Sequence, residues 1–574
     1  MATITRREML QVTAAAAALG VAGGGGGTLG RAAAQQRLTQ DELLRFDALG
    51  QVTLLHFTDI HAQLLPLHFR EPSVNVGVGE AMGLPPHLVG KRLLDAFRIA
   101  PGSAEAHALV STDFAALARS YGRIGGLDRM ATAVKAIRAE RPGKVLLLDG
   151  GDTWQGSYTA LQTQGEDMVR AMHALGVEAM TAHWEFTYGQ DRVKALKDSL
   201  KFPFLCGNVK DATWGDPVFD GETVIERGGV SIGLIGQAFP YTPIANPRWM
   251  MPDWSFGIEE EKLQGRVDAL RARNVDLIVL LSHNGFDVDR KLAGRVKGID
   301  VILTGHTHDA IPAPVIVGST LLVAPGSHGK FLARLDLDVK GRKVVGHRFK
   351  LIPLFADAIA PDPEMAALIR DIRAPHEALL KKELGRTESL LYRRGNVNGS
   401  FDDLICQALL AERDAEIALS PGFRWGATLL PGEPITVEDV YNQTAITYPK
   451  VYRTPMTGAY LKEVLEDVAD NLFNPDPYYQ QGGDMVRVGG LAYTIDVAKP
   501  AGSRISDMRF VKSGQPIDAA KSYVVAGWAS VNEGTEGPPV WELVSRHVER
   551  ERMVRVAENR AVKLVGADAQ GIEG

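Results

Sequence analysis

Cysteine is the scarcest chemistry-bearing residue of this chain: Cys206 and Cys406 are the two thiols among 574 residues. That scarcity excludes a disulfide framework, an iron–sulfur cluster and a thiolate zinc knuckle. Long apolar runs are missing as well. Beyond the N-terminal segment nothing approaches the ~18 uninterrupted apolar residues of a membrane span. An excess of positive charge is also absent. Lys and Arg number 63 against 69 Asp and Glu, a formal net charge of −6, without the basic patch of a nucleic-acid binder. What is there is 45% hydrophobic and 23% charged, a globular composition that excludes disorder, collagen and coiled-coil rods. At ~100–200 residues per domain, the length predicts at least two domains.

The N-terminus predicts a removable address over residues 1–34. Thr5-Arg6-Arg7-Glu8 precedes a short apolar run over 12–22, and the segment closes on Arg31-Ala32-Ala33-Ala34. This is the layout of a signal peptide. The paired arginines resemble a twin-arginine signal, which exports folded proteins to the periplasm; an ordinary signal or an uncleaved tether is the alternative. Cleavage after Ala34 removes Arg6, Arg7, Arg31 and Glu8, takes the charge from −6 to −8 and leaves no membrane anchor.

Four strand-like runs each end in polar residues. Val52-Thr53-Leu54-Leu55-His56-Phe57 leads into Thr58-Asp59-Ile60-His61. Lys144-Val145-Leu146-Leu147-Leu148 leads into Asp149-Gly150-Gly151-Asp152. The run 275–281 leads into Ser282-His283-Asn284-Gly285, and Val301-Ile302-Leu303 into Thr304-Gly305-His306-Thr307-His308. Such runs read as buried strands, and amphipathic stretches between them, over 126–140 and 259–273, predict α/β architecture. Ligands of such sheets bind beyond the strand carboxyl ends. Residues 351–385 read as a linker, with a long polar helix over 364–383. A second domain begins near 386, with a strand over 435–441 and a helix over 458–467.

Asp59 and His61 stand at i, i+2, which in extended chain places both side chains on one side. Asp152 follows two glycines, which allow a tight turn. His306 and His308 repeat the i, i+2 spacing, His283 ends another strand, and His183 lies in Thr181-Ala182-His183-Trp184-Glu185-Phe186. Two carboxylates and five imidazoles at strand ends form a ligand set for two divalent ions, with one bridging carboxylate.

These motifs together resemble the calcineurin-like metallophosphoesterases, in the 5′-nucleotidase family. Asn398–Leu409 and Thr457-Gly458-Ala459-Tyr460-Leu461 match that family's C-terminal part, and the likeness spans roughly residues 50–565. It implies a four-layer N-terminal domain over 50–350 and a smaller α+β substrate domain over 386–565. It further implies one metal on Asp59, His61, Asp152 and His308 and another on Asp152, His283, His306 and a residue near 183. Asp152 would bridge, and a metal-bridging hydroxide would attack a tetrahedral phosphorus or sulfur centre.

The chain departs from the family's Gly-Asn-His-Glu-Phe-Asp. Aligned on Glu185-Phe186, His183 replaces the Asn, Trp184 the catalytic His, and Thr187 its Asp partner; a gap would instead place His183 on the family His. In the first alignment the ligand set gains an imidazole and the leaving-group dyad is lost. A sugar alkoxide needs acid assistance to leave, whereas a sulfur leaving group does not. Trp184 would also narrow the pocket, unless it is core packing. An insert over 65–123 carries His68, His87 and His107 and reads as either a channel wall or a peripheral decoration. Arg424 is kept, and its planar fork suits a tetrahedral oxyanion; Tyr452 and Trp528 are aromatic candidates.

The paired arginines, His183-Trp184 and the Pro-rich insert resemble the SoxB-type thiosulfohydrolases. That resemblance implies a periplasmic dimanganese enzyme that releases sulfate from a cysteine-bound thiosulfate unit. The unit would ride on a carrier protein's mobile C-terminal arm, with no nucleic-acid partner. Asp152, Arg424 and Trp184 are then the expected catalytic residues, and the alternative is a periplasmic 5′-nucleotidase or cyclic phosphodiesterase. Both cysteines read as buried small residues.

Overall fold

The computed structural model describes residues 38–573 apart from 558 and 560; the segment read as a signal, 1–34, lies outside the described residues. In the N-terminal half, two large sheets use, in chain order, β1 (Val52–Phe57), β2 (Val145–Asp149), β3 (Ala179–Met180), β4 (Glu222–Arg227), β5 (Val230–Gln237), β6 (Leu277–Ser282), β7 (Val301–Thr304), β8 (Val315–Val317), β9 (Thr320–Val323), β10 (Phe331–Lys340) and β11 (Lys343–Pro353). One sheet runs β11-β10-β1-β2-β3 and the other β8-β9-β7-β6-β5-β4. β1, β2 and β3 are parallel, as are β5, β6, β7 and β9.

The alternation along these strands explains why they are apolar on both sides. Leu54, Leu146, Leu148, Val279 and Leu281 meet between the two sheets. Their neighbours Leu55, Leu147, Ile278 and Leu280 point outward, under helices. Helix α1 (Leu127–Glu140) covers the first sheet with Met130, Val134 and Ile137, and α2 (Glu260–Ala272) covers the second with Leu263, Val267 and Leu270. The result is four layers, helix–sheet–sheet–helix, as the sequence predicted.

The stretch read as one long polar linker helix is instead α3 (Pro363–Arg373), a short turn of helix at Glu377–Leu380, and the strand Glu383–Thr387. Asp362 caps α3 through the Met365 amide. Met365, Ile369 and Ile372 are buried in the N-terminal core, so α3 is docked by an apolar face rather than polar throughout.

The C-terminal half is a four-stranded sheet of β12 (Ile417–Gly422), β13 (Val451–Thr457), β14 (Asp484–Gly489) and β15 (Ser522–Trp528), ordered β13-β15-β12-β14. Helices α4 (Ser400–Arg413) and α6 (Val540–Glu551) pack on one face, and α5 (Gly458–Phe473) on the other. The strand expected over 435–441 is mostly helix. Pro434–Thr436 is extended, and Thr436 and Asp439 form a capping box that starts the helix Val437–Thr444. A cap with an acid three residues on outweighs the β-branched run.

The insert over 65–123 is ordered. It carries helices Gly90–Phe97, Ala104–Leu109 and Phe114–Tyr121, and Leu93, Leu94, Leu109 and Val110 join the N-terminal core. It also touches the other half: His68 pairs with Thr428, and Val74 with Ile572 near the end of the chain.

Candidate metal centre

The parallel strands end level. Phe57 stands opposite Asp149, and Ser282 opposite Thr304. The loops beyond them are laced by backbone hydrogen bonds: Asp59 N donates to Gly151 O, and His61 N to Asp152 O, each at 2.8 Å. All seven predicted ligand residues converge there in two buried groups that share Asp152. One is Asp59, His61, Asp152 and His308; the other is Asp152, His183, His283 and His306, with the ligand atoms of each group within 4.8 Å of one another.

The i, i+2 pairs converge for a reason other than extended chain. Asp59, His61, Asp152, His306 and His308 all adopt left-handed backbone, with φ of 52°, 49°, 57°, 74° and 58°. Non-glycine residues pay strain there, of order 1 kcal/mol or more each, which tertiary contacts must offset. Gly305 shows how tight the loops are: a Cβ on it would stand 2.5 Å from Thr58 Oγ1 and 2.9 Å from His283 Nδ1.

Asp152 Oδ2 is the hub. It lies 3.1 Å from His183 Nδ1, 3.1 Å from His283 Nε2 and 3.6 Å from His61 Nε2. His308 Nε2 stands 3.2 Å from Asp59 Oδ1. These separations match ligands that share an ion bound at about 2.0–2.2 Å. The donor chemistry demands a cation as well. His283 Nδ1 lies 2.6 Å from the Gly150 carbonyl and donates to it. Its Nε2 faces the Asp152 carboxylate at 3.1 Å. Burial opposes a charge there, but Asp152 and Asp59 outweigh it and push this imidazole up to about 10, so a bound ion would take the place of the Nε2 proton. His61 Nε2 and His308 Nε2 face each other at 3.1 Å. Burial pushes His306 and His308 well below the ordinary histidine range, reinforced by neighbouring imidazoles and Arg424. They are therefore neutral, the form that binds metal. The seven residues fit two divalent ions of the nitrogen- and oxygen-liking kind.

Glu185 holds the ligand loops. Its carboxylate accepts from the amides of Asp152, Thr153, Trp154 and His183, at 3.2, 2.6, 3.2 and 2.7 Å. Burial and Glu185 push Asp149 beneath it up to about 8. Sequence reasoning used Glu185 only as a landmark, although a carboxylate between two ligand motifs signals such a clamp. It missed His328, whose ring lies 5.5 Å from that of His61 and whose Nε2 accepts from Gly426 N. Gly326-Ser327-His328-Gly329 has the same glycine-flanked histidine as the Gly305-His306 loop. It missed Arg394 too, which reaches across from the C-terminal half to the Thr307 and His308 carbonyls at 2.8 and 3.1 Å.

A cavity of about 570 Å³ opens over the metal groups, walled by Trp184, Phe423, Arg424, Tyr448, Tyr452 and Trp528. The two alternatives for Trp184 are both realised: its ring packs into the C-terminal core, edge-on to Phe423, and also lines the cavity. Its amide donates to Asp152 Oδ1 at 2.7 Å. Thr187, in place of the family's Asp, bonds Thr447 across the domains. Arg424 donates to Gly483 O at 2.9 Å and faces Asp484 at 3.4 Å, leaving Nη1 unpartnered. Cys206 and Cys406 are buried and free.

Back-to-back sheets with a shared aspartate and imidazoles at the strand ends define the calcineurin-like metallophosphoesterase class. Residues 383–543 match the family model described as 5′-nucleotidase, C-terminal domain. A 5′-nucleotidase of Bos taurus is 27% identical over 456 residues, covering 70% of this chain and 76% of the relative. The solved Thermus thermophilus sulfate thiohydrolase SoxB is 35% identical, with a TM-score of 0.87 over 91% of this chain and 98% of that one. A Thermus thermophilus 5′-nucleotidase precursor shares the fold at 21% identity and a TM-score of 0.70, over 90% of this chain and 99% of its own. The chain belongs to the 5′-nucleotidase family of metallophosphoesterases, in its SoxB-type branch, whose members are hydrolases.

Proposed function

We propose that the protein is a periplasmic sulfohydrolase that releases sulfate from a cysteine-bound thiosulfate unit on a carrier protein's C-terminal arm. The reaction is R–S–S–SO₃⁻ + H₂O → R–S–SH + SO₄²⁻ + H⁺. Water adds to the sulfonyl sulfur, the S–S bond breaks, and its electron pair leaves with the persulfide sulfur.

One observation carries this reading: among the described residues, the cavity offers no imidazole or carboxylic acid free to protonate a leaving group. The imidazoles lining it belong to the ligand groups. Asp484 is held by Arg424 and Arg487. Burial raises Tyr448 well above the phenol range and Tyr452 to about 12. An alkoxide leaving group would depart unassisted there. A sulfur leaving group, with a thiol pKa near ~8.5, needs no proton.

When bound, two divalent ions, manganese by the SoxB likeness, supply Lewis acidity and an activated water at neutral pH. The chain's own residues do the rest. Asp152, fixed by the Trp184 amide and the clamped loop, is shared by both ligand groups and would help hold both ions. Arg424 Nη1 is the uncommitted donor for the developing oxyanion. Trp184, Phe423 and Trp528 give the cavity an apolar wall. The described helices include none long and apolar enough to cross a membrane.

The second reading is a 5′-nucleotidase or cyclic phosphodiesterase, favoured by the aromatic cavity wall and by the nucleotidase relatives. The deciding experiment is an assay of the manganese-loaded protein on a thiosulfonated carrier peptide and on AMP. Sulfate release with weak AMP hydrolysis is expected; robust AMP hydrolysis without sulfate release overturns the proposal.

A further inference from the structure

A second cavity, of about 60 Å³, lies behind the metal groups. One ordered water needs at least about 10–15 Å³, so this space has room for more than one water or for a small tetrahedral oxyanion. His306, Arg424, Asn471 and Gly482 line both this cavity and the large one, so they are the partition between the two. That partition is close-packed. Gly482 has φ +84°, and a Cβ on it would stand 2.1 Å from His306 Nε2.

The outer lips come from different parts of the chain. Pro86 and His87 of the insert and Leu472 and Gln480 of the C-terminal half line the small cavity together; Pro86, Leu472 and Gln480 are half-buried, while the His87 side chain is only 11% exposed. The acids of the small cavity each face a cationic or amide partner, although Asp287 Oδ1 is left unpartnered. Asp287 lies 2.7 Å from His87, and Asp309 accepts from Asn75 at 3.2 Å and faces Arg394 at 3.4 Å. The buried Arg424 Nη1 stands unpartnered in the partition.

The proposed reaction creates a need for such a space. The carrier arm fills the large cavity when the S–S bond breaks, and sulfate is formed beneath it. Sulfate could then leave only after the arm withdraws, unless it has another route. We propose that the small cavity is a product port: Arg424 passes the oxyanion from the metal groups into it, and sulfate leaves between the insert and the C-terminal half. This rests on the sulfohydrolase reading and gives the insert its role, as one lip of the port.

The test uses the full-length manganese-loaded protein with Gln480→Trp and Leu472→Trp, each placing a large ring at the outer lip. In single-turnover experiments with thiosulfonated peptide, cleavage should be unchanged. In steady state, turnover should fall about tenfold with a burst of persulfide, because product release has become limiting. A binding experiment reads the port without turnover. With the large cavity saturated by an uncleavable thioether peptide, calorimetry should detect sulfate binding to the unsubstituted protein, and association should slow in the variants. An active enzyme whose variants show neither burst nor slowed turnover overturns the port alone. So does sulfate binding that the peptide abolishes. No sulfate release by the unsubstituted protein overturns the reaction assignment, and the port with it.

Discussion

The two halves of the molecule contribute different things to one cavity. The N-terminal half supplies all seven ligand side chains, five of them on left-handed backbone held by loop-to-loop hydrogen bonds. The C-terminal half supplies the rings Phe423 and Trp528, the uncommitted Arg424, and Arg394, which steadies the His306–His308 loop from outside. The metal ligands therefore sit in one half, and most of the aromatic wall, with the free guanidinium donor, in the other. Neither is complete alone, because the space for substrate exists only where they meet.

The largest expected break in this division is Asp152→Asn. It removes the charge both metal groups share, and turnover should fall about a thousandfold or more. Metal analysis of the purified variant should show loss of bound ion; full turnover would contradict the assignment. Arg424→Met attacks the other half. It should lower kcat/KM for the carrier peptide about a hundredfold, the scale of one lost oxyanion donor, while metal content stays intact. A parallel loss of metal would show that Arg424 serves the ligand half instead.

The joined variant His183→Asn, Trp184→His, Thr187→Asp restores the family pattern and supplies a proton donor. AMP hydrolysis should rise by about tenfold or more, within the range of general acid catalysis; no rise would break the link between the missing dyad and substrate choice. The smallest effect on activity belongs to Ile369→Ala on α3. Burial of this side chain predicts a loss of about 3 kcal/mol of stability, seen as a lowered melting temperature. Turnover at 25 °C should be nearly unchanged, because α3 touches the core and not the cavity.

Several of these features are legible in the sequence for a simple reason. Strands buried on both faces must be apolar throughout, so β1, β2, β6 and β7 announce themselves, and the polar residues just beyond them mark the ligand edge. The convergence of Asp59 with His61 was anticipated on the wrong geometry. Extended chain and left-handed turn give the same i, i+2 spacing, and only the packed loops select the second. The polarity of 364–383 concealed α3, because three apolar residues at helical spacing suffice to dock it. The helix after Thr436 was hidden by β-branched residues that the capping box overrides.

Glu185, His328 and Arg394 act through contacts far apart in the chain, and no local pattern states those contacts. The sequence by itself determined the chemistry available: two carboxylates and five imidazoles at strand ends and no useful thiol, with two alignments of His183 and Trp184 on the family pattern. Local composition sets these, so they are readable one segment at a time. Only the tertiary structure decided that Asp152 lies between the two groups, that Arg424 keeps a free donor, and that the insert meets the C-terminal half beside a second cavity. Those facts depend on distances between segments hundreds of residues apart, which close packing of the whole chain settles.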